Sequence, residues 1–298
     1  MTKFIEHRSL SRSATKHLVV LYHAECTDGF GAAWAAYRKF GSDAEYIPVE
    51  HQSELPGGLT DKEIYTLDFT YPADVTESLS RDNRRVTSID HHVSAADVTK
   101  GTQDGVYDNE HSGSVLAWRY FHPDVPEPYL LRVIEDNDLH RFALQDTEPL
   151  TDWLDQYDFE FETYDRLAQK LDAADSREEA VRDGTMLMKF RHKLVERLLA
   201  NTAYEVDFSG RRAGAVNSEL FHSELANGLA ERYGMGIAWR VRPHGVYVSL
   251  RSDGSVDVSE LASQYGGGGH MRAAGFMVRR VTDIPFVRVE VENGNGNG

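Results

Sequence analysis

Apolar and polar positions along the first two thirds of the chain switch repeatedly between two rhythms. Short runs rich in branched and aromatic residues, at 17–22 (HLVVLY), 44–49, 63–69 (EIYTLDF) and 85–89 (RVTSI), predict strands. Helices are predicted over 29–40 (GFGAAWAAYRKF), 73–82, 114–121 and 129–135. Strands alternating with helices describe a parallel sheet with helices on its faces. From 164 to 199 apolar residues recur at helical spacing, Leu187, Phe190, Leu194 and Leu198 among them, which reads as a helical covering followed by a connecting helix. Past Tyr204 the pattern turns to strands at 212–216, 236–241 and 245–251 around a helix at 223–233. The fold class is therefore α/β: a parallel-sheet domain joined by a helical connector to a smaller α/β domain. The tail 291–298, ending in NGNGNG, is too glycine-rich and polar to pack and is expected to be disordered.

Composition narrows this picture. Of 298 residues 41% are hydrophobic, ample for a core and incompatible with wholesale disorder. No apolar run reaches the roughly 18 residues of a membrane span, and residues 1–16 are polar rather than signal-like, so a soluble cytoplasmic protein without membrane partners is expected. One cysteine, Cys26, excludes an internal disulfide. The net charge of −16 disfavours electrostatic coating of long nucleic acid. That charge is uneven: residues 1–207 hold 22 basic and 39 acidic side chains, residues 208–298 hold 10 and 9. Two units of different character follow.

Candidate chemistry falls where predicted strands end. His23-Ala-Glu-Cys26-Thr-Asp28-Gly29 follows HLVVLY, Asp68 closes IYTLD, and Asp90-His91-His92 closes VTSI. Asp136-Asn-Asp138 follows the helix-like YLLRVI. In an open α/β sheet the carboxyl ends of the strands share one edge, where ligands bind, so these groups converge. Several carboxylates and imidazoles in one pocket repel one another unless cations neutralise them, and mixed O and N donors suit Mn²⁺, Mg²⁺ or Fe²⁺. Taken singly, each has a plainer explanation. Asp68 and Asp138 would be turn residues, Asp28 a helix cap, and His91 and His92 surface histidines. Only their joint occurrence signals a site. His51, His111, His122, His192, His222 and His244 lack such context and are read as surface residues.

A further feature is GGGGHMRAAGF at 266–276. Its glycines permit close backbone approach to an anion, and Arg251 ends a nearby predicted strand. Alone, a glycine run is more often a flexible turn.

Together, Asp28-Gly29, Asp68, Asp90-His91-His92, Asp136/Asp138 and the glycine segment closely resemble the DHH superfamily of phosphoesterases with its DHH-associated C-terminal domain. The resemblance spans about 17–278 and is greatest to the small oligoribonuclease (nanoRNase) branch, in YHAECTDGFGAAW, LDFTYP and IEDNDL. RecJ-type exonucleases share the core. The resemblance implies a tail at 1–16, a metal-binding DHH domain at 17–185, a connecting helix at 186–203 and a substrate-binding domain at 204–290. It implies two divalent ions, Mn²⁺ with Mg²⁺ as the alternative. His23, Asp28, Asp68, His91 and one of Asp136 and Asp138 would be ligands, with Asp68 bridging. Asp90 would orient His91 or ligate, and His92 would face the phosphate. Arg251, Gly267, Gly268, Gly269 and His270 would hold the substrate.

One position departs from the family. Many members have Asp-x-Asp in the first motif, and this chain has Cys26-x-Asp28. A thiolate is a softer ligand than a carboxylate, so either Cys26 replaces it, His23 takes over, or the first ion is weakly held. The resemblance implies hydrolysis of short single-stranded oligonucleotides. Cyclic mono- or dinucleotides, or phosphoadenosine phosphate, are the alternative substrates, and a non-catalytic nucleotide-binding module is the alternative from another class. RNA against DNA, polarity and oligomeric state, a homodimer included, are left open.

Overall fold

The computed structural model describes residues 13–50, 53–243 and 245–289. Residues 1–12 of the expected tail, His51, His244 and the tail 291–298 lie outside the described residues. The chain divides into two compact units, Met1–Met188 and Lys189–Gly298.

The first unit is built on strands β1 (Leu18–His23), β2 (Ala44–Val49), β3 (Glu63–Leu67), β4 (Arg85–Asp90) and β5 (Val106–Tyr107), all parallel, in the order β2-β1-β3-β4-β5. Its helices are α1 (Thr27–Phe40), α2 (Ala73–Asp82), α3 (Ala96–Gly101), α4 (Gly113–Phe121), α5 (Tyr129–Asp138), α6 (Thr147–Leu154) and α7 (Phe161–Asp172). Strands in such a sheet are covered on both faces and read as near-continuous apolar runs, hence the legibility of HLVVLY. Val20 points to a core with Trp34, Trp118, Leu131 and Trp153, while Val19 and Leu21 point to the opposite core with Ile64 and Val86. Fully buried Leu131 is worth about 2–5 kcal/mol against truncation to Ala. The end of the expected tail is tied down: Ala14 is buried and its N–H donates to Gly57 O at 2.8 Å.

Helix α8 (Ala174–Thr202) is one continuous helix of 29 residues, beginning well before the expected 186. No helix among the described residues is long and apolar enough to cross a membrane.

The second unit has strands β6 (Tyr204–Phe208), β7 (Arg211–Asn217), β8 (Met235–Arg242), β9 (Gly245–Ser252), β10 (Gly268–His270), β11 (Ala273–Val278) and β12 (Phe286–Arg288), with α9 (His222–Tyr233) and α10 (Val258–Ser263). The sheet order is β10-β11-β9-β8-β7-β6-β12. Only β7 and β8 are parallel, joined through α9; the other pairs are antiparallel. Phe208, Ile237, Val248, Leu250 and Phe276 form the core of one face, and Leu225 and Leu229 of α9 cover the other.

Candidate metal centre and anion cavity

Strand order reverses between β1 and β3, and a crevice opens at the carboxyl ends of strands where that happens. His23 ends β1 and Asp68 directly follows β3; His23 Nδ1 lies 3.2 Å from Asp68 Oδ2. Asp68 holds a left-handed backbone, φ 62°, sparsely populated for residues other than glycine, and its N–H donates to Ile89 O at 2.9 Å. Its other oxygen, Oδ1, lies 3.2 Å from His91 Nε2, which is 3.6 Å from Asp138 Oδ2. Asp90, fully buried at the end of β4, accepts from the backbone N–H groups of His91 (2.7 Å) and His92 (3.1 Å) and lies 2.8 Å from His92 Nδ1.

Asp28 sits in the first turn of α1 but does not cap it; Oδ1 accepts from the Ser114 N–H at 3.0 Å, at the start of α4. A Cβ on Gly29 would come within 2.2 Å of His23 O, so only glycine lets α1 start so close to the end of β1.

Charges in this cluster perturb one another. Burial raises the Asp28 carboxyl well above its usual range, and the carboxylates of Asp68 and Asp138 raise it further. Burial also opposes ionisation of Asp68, but the hydrogen bond with His23 and the close pairing with the His91 imidazole outweigh it and hold Asp68 below the carboxylate range. For His91, desolvation is outweighed by Asp68 and Asp138, and its pKa rises to about 9. His92 is likewise raised, Asp90 outweighing burial. Desolvation and Asp68 lift Asp138 to about 6. Burial, then Asp68 and Asp28, push the Cys26 thiol up.

The donor set fits divalent cations. Among the described residues, Asp28 Oδ2 and Asp90 Oδ2 are buried with no hydrogen-bond donor, and Asp68 Oδ1 is buried with the ring nitrogen of His91 3.2 Å away but not aligned for a hydrogen bond. An uncompensated buried carboxylate is costly, so three such oxygens call for positive charge. A Cβ on Gly113 would lie 2.7 Å from Asp68 Oδ1 and 3.0 Å from Asp28 Oδ2, so this glycine keeps open the space both oxygens face. Three sets of ligand atoms lie within 4.8 Å of one another: His23, Cys26 and Asp68; Asp68, His91 and His92; Asp28, His91 and Asp138. Asp68 belongs to two sets and His91 to two.

Asp136 departs from its expected place. Its Oδ1 accepts from Ala143 N–H (2.9 Å), and Oδ2 from Leu144 N–H (3.0 Å) and the Thr147 hydroxyl. Both oxygens are thus engaged in shaping the loop after α5, and Asp138 is the acid in the cluster. Neither follows a strand; both lie in the last turns of a helix. Sequence reasoning missed Glu135, whose Oε2 accepts from Ser112 N–H at 3.0 Å and lies 3.0 Å from His111 Nδ1. Its signal was N-E-H-S-G-S ahead of an apolar helix, a helix-start pattern.

In the second unit a cavity of about 280 Å³ is lined by His222, Ser223, Arg240, Tyr247, Ser249, Arg251, Gly268, Gly269 and the β11 residues 273–275. Tyr247, Ser249 and Arg251 alternate onto one face of β9, and β11 sets Gly275 opposite Ser249 and Ala273 opposite Arg251. The small residues of AAG leave the room that longer side chains would fill. Arg251 donates to Ser223 Oγ (2.9 Å), Ser249 Oγ (3.1 Å) and Leu250 O (3.0 Å). Arg240 stands over the Tyr247 ring at 5.1 Å, with Nη1 2.6 Å from His222 Nδ1. Burial, then Arg240, Arg251 and Arg242, lower His222 to about 4, so it is neutral at pH 7.

Two expected grip residues stand elsewhere. Gly267 is packed, not open: a Cβ there would lie 2.1 Å from Gly275 O, and its N–H donates to Ala262 O. His270 ends β10, exposed, and does not line the cavity. Conversely His222, read as a surface residue, lines it, and Arg240 was missed although an arginine inside the apolar strand MGIAWRVR was a signal. His111 and His122 are also half-buried, His122 Nε2 lying 2.9 Å from Ala35 O, while His192 is exposed.

Residues 219–293 match the family model of the DHHA1 domain. The chain is 27% identical over 299 aligned residues to uncharacterized protein R106 of Acanthamoeba polyphaga mimivirus, covering 91% of this chain and 70% of that protein. It is 38% identical over 73 residues to oligoribonuclease NrnB of Bacillus subtilis, covering 21% of this chain and 16% of that protein. Among solved structures, the pGpG-specific phosphodiesterase PggH of Vibrio cholerae shares the fold with a TM-score of 0.50 at 13% identity, over 89% of this chain and 94% of that one.

Proposed function

The chain belongs to the DHH superfamily of phosphoester hydrolases, and from that premise we propose that it is a divalent-metal-dependent phosphodiesterase acting on short single-stranded oligonucleotides. The observation that carries the reading is the group of donor-less buried oxygens of Asp28, Asp68 and Asp90 at the switch point of the sheet.

His23, Cys26, Asp28, Asp68, His91 and Asp138 would hold two divalent ions, at least one of them Mn²⁺ or Mg²⁺, in the sets already described. Bound there, the ions would lower the pKa of water toward neutrality and offset phosphoryl charge. His92, fixed at Nδ1 by Asp90, has its Nε2 to donate to a phosphoryl oxygen as negative charge develops. Asp90 holds that tautomer and stabilises the imidazolium. Arg251 and Arg240 would bind the phosphate of the substrate's terminal nucleotide, each oriented by side-chain partners before the ligand arrives. An excess of acidic side chains elsewhere repels long polyanions, whereas a short one can enter a focused cationic cavity.

The test is a panel of short RNA, short DNA, 3′-phosphoadenosine 5′-phosphate and cyclic dinucleotides, each incubated with the protein and Mn²⁺. Mononucleotide release from two- to five-residue oligomers is expected. Turnover of only a cyclic dinucleotide, or of none, overturns the substrate assignment.

A further inference from the structure

Resting on the reading that the cluster holds divalent ions, we propose that Cys26 supplies a thiolate to one of the two positions, making it selective for a thiophilic ion such as Zn²⁺ or Co²⁺. The other position, at Asp28, His91 and Asp138, takes a hard ion such as Mn²⁺ or Mg²⁺. The two metal positions are thereby chemically unlike.

Three observations carry this. The Cys26 sulfur, a His23 ring nitrogen and an Asp68 oxygen lie within 4.8 Å of one another. Tetrahedral zinc with bonds of about 2.0–2.3 Å spaces its ligands about 3.5 Å apart, so small side-chain adjustments close the site. Cys26 occupies the residue before α1 and makes no side-chain capping bond. Asp68, 1% exposed, buries Oδ1 with no aligned hydrogen-bond donor among the described residues, the His91 ring nitrogen standing 3.2 Å away, and turns Oδ2 toward His23, so its carboxylate has capacity left for a cation.

The backbone holds this trio together. Glu25 takes a left-handed turn, φ 52°, and the close packing of Gly29 on His23 fixes Cys26 beside the end of β1. On binding, the S–H bond breaks as the sulfur–metal bond forms, and the proton leaves to solvent with no change of oxidation state. An S, N, O set discriminates far more strongly toward Zn²⁺ and Co²⁺ over Mn²⁺ than an O, N, O set.

The test is Co²⁺ titrated into the full chain, freed of metal by chelation, and followed by near-ultraviolet and visible absorption. The chain has one cysteine, so any sulfur-to-cobalt charge-transfer band arises from Cys26. The wild type should show the band; Cys26→Ser and Cys26→Asp should lose it and retain the weaker d–d absorption of the other position. Competition read by Mn²⁺ electron paramagnetic resonance should show the Zn²⁺-over-Mn²⁺ preference falling about tenfold or more in Cys26→Asp. Cys26→Asp keeps a ligand in place, so a folding failure of Cys26→Ser leaves the question answerable. Co²⁺ bound to wild type without a charge-transfer band, or a band that persists in either variant, overturns the thiolate. No binding of Co²⁺ or Mn²⁺ to wild type overturns the metal reading beneath it instead.

Discussion

In the first unit a parallel sheet edge gathers Asp28, Asp68 and Asp90, each with one buried oxygen that no donor satisfies. In the second, a largely antiparallel sheet face gathers Arg240 and Arg251 around a histidine kept neutral by burial and by their charge. Both are built from groups that are expensive to bury, with opposite sign. On the proposed function, the acidic site would be completed by cations and the basic one by an anion. The clustered aspartates are part of the acidic excess before residue 208, and the contrast shows why net charge alone is a poor guide to whether a phosphate could be bound.

If this division is right, substitutions in the two units separate kinetically. The largest effect belongs to Asp68, shared by two of the ligand sets: Asp68→Asn should lower kcat by about a thousandfold or more in protein that stays folded at the assay temperature. Substantial turnover in that variant would break the assignment of chemistry to the first unit. Next, Arg251→Ala or Arg240→Ala should raise KM by about 10- to 150-fold, the worth of a charge-assisted hydrogen bond, with kcat little changed. A loss confined to kcat would place those arginines with the chemistry and erase the contrast.

Glu135→Gln sharpens the contrast within the first unit. Glu135 touches none of the ligand sets but holds Ser112 N–H, and Ser114, two residues on, donates to Asp28. Mn²⁺ affinity by calorimetry should fall about tenfold, as for other residues that orient ligands from behind. Unchanged affinity would mean that α4 needs no such anchor.

The smallest effect is on stability against pH. His91 has a folded pKa of about 9 against an ordinary 6.5, so its charged form stabilises the ion-free fold. That contribution is complete below pH 6.5 and is lost as pH rises to 9. Melting of the metal-stripped protein should therefore move to lower temperature across that window. Saturating Mn²⁺ should flatten or reverse the trend, because a ligating histidine must be neutral and proton release then favours binding. An ion-free protein equally stable at pH 6.5 and 9 would contradict the His91–Asp68 pairing.

Much of the fold was legible because buried parallel strands are continuous apolar runs. The predicted strand 44–49 and helix 73–82 coincide with β2 and α2, and the others, apart from the connecting helix that begins at Ala174, differ by a few residues at their ends. Asp68, Asp90, His91 and His92 were legible for the same reason, since a strand end marks the ligand edge of such a sheet. Asp136 and Asp138 were not distinguishable: two residues apart near a helix end, they point to different surroundings, one to the loop amides and one to the cluster. Gly267 and His270, expected in the substrate grip, stand outside the lining of the cavity.

The chain by itself determined that strands would alternate with helices, that carboxylates and imidazoles would meet at one sheet edge, and that charge would be spread unevenly between an acidic part and a near-neutral one. These follow from local periodicity, a property of neighbours in sequence. Only the tertiary structure decided which acid joins the cluster, that Cys26 stands within reach of His23 and Asp68, and that Arg240 meets Tyr247 and His222. Those outcomes depend on strand register and on the angle at which a helix begins. No pattern along the chain encodes them, because they are set by the close packing of residues far apart in it.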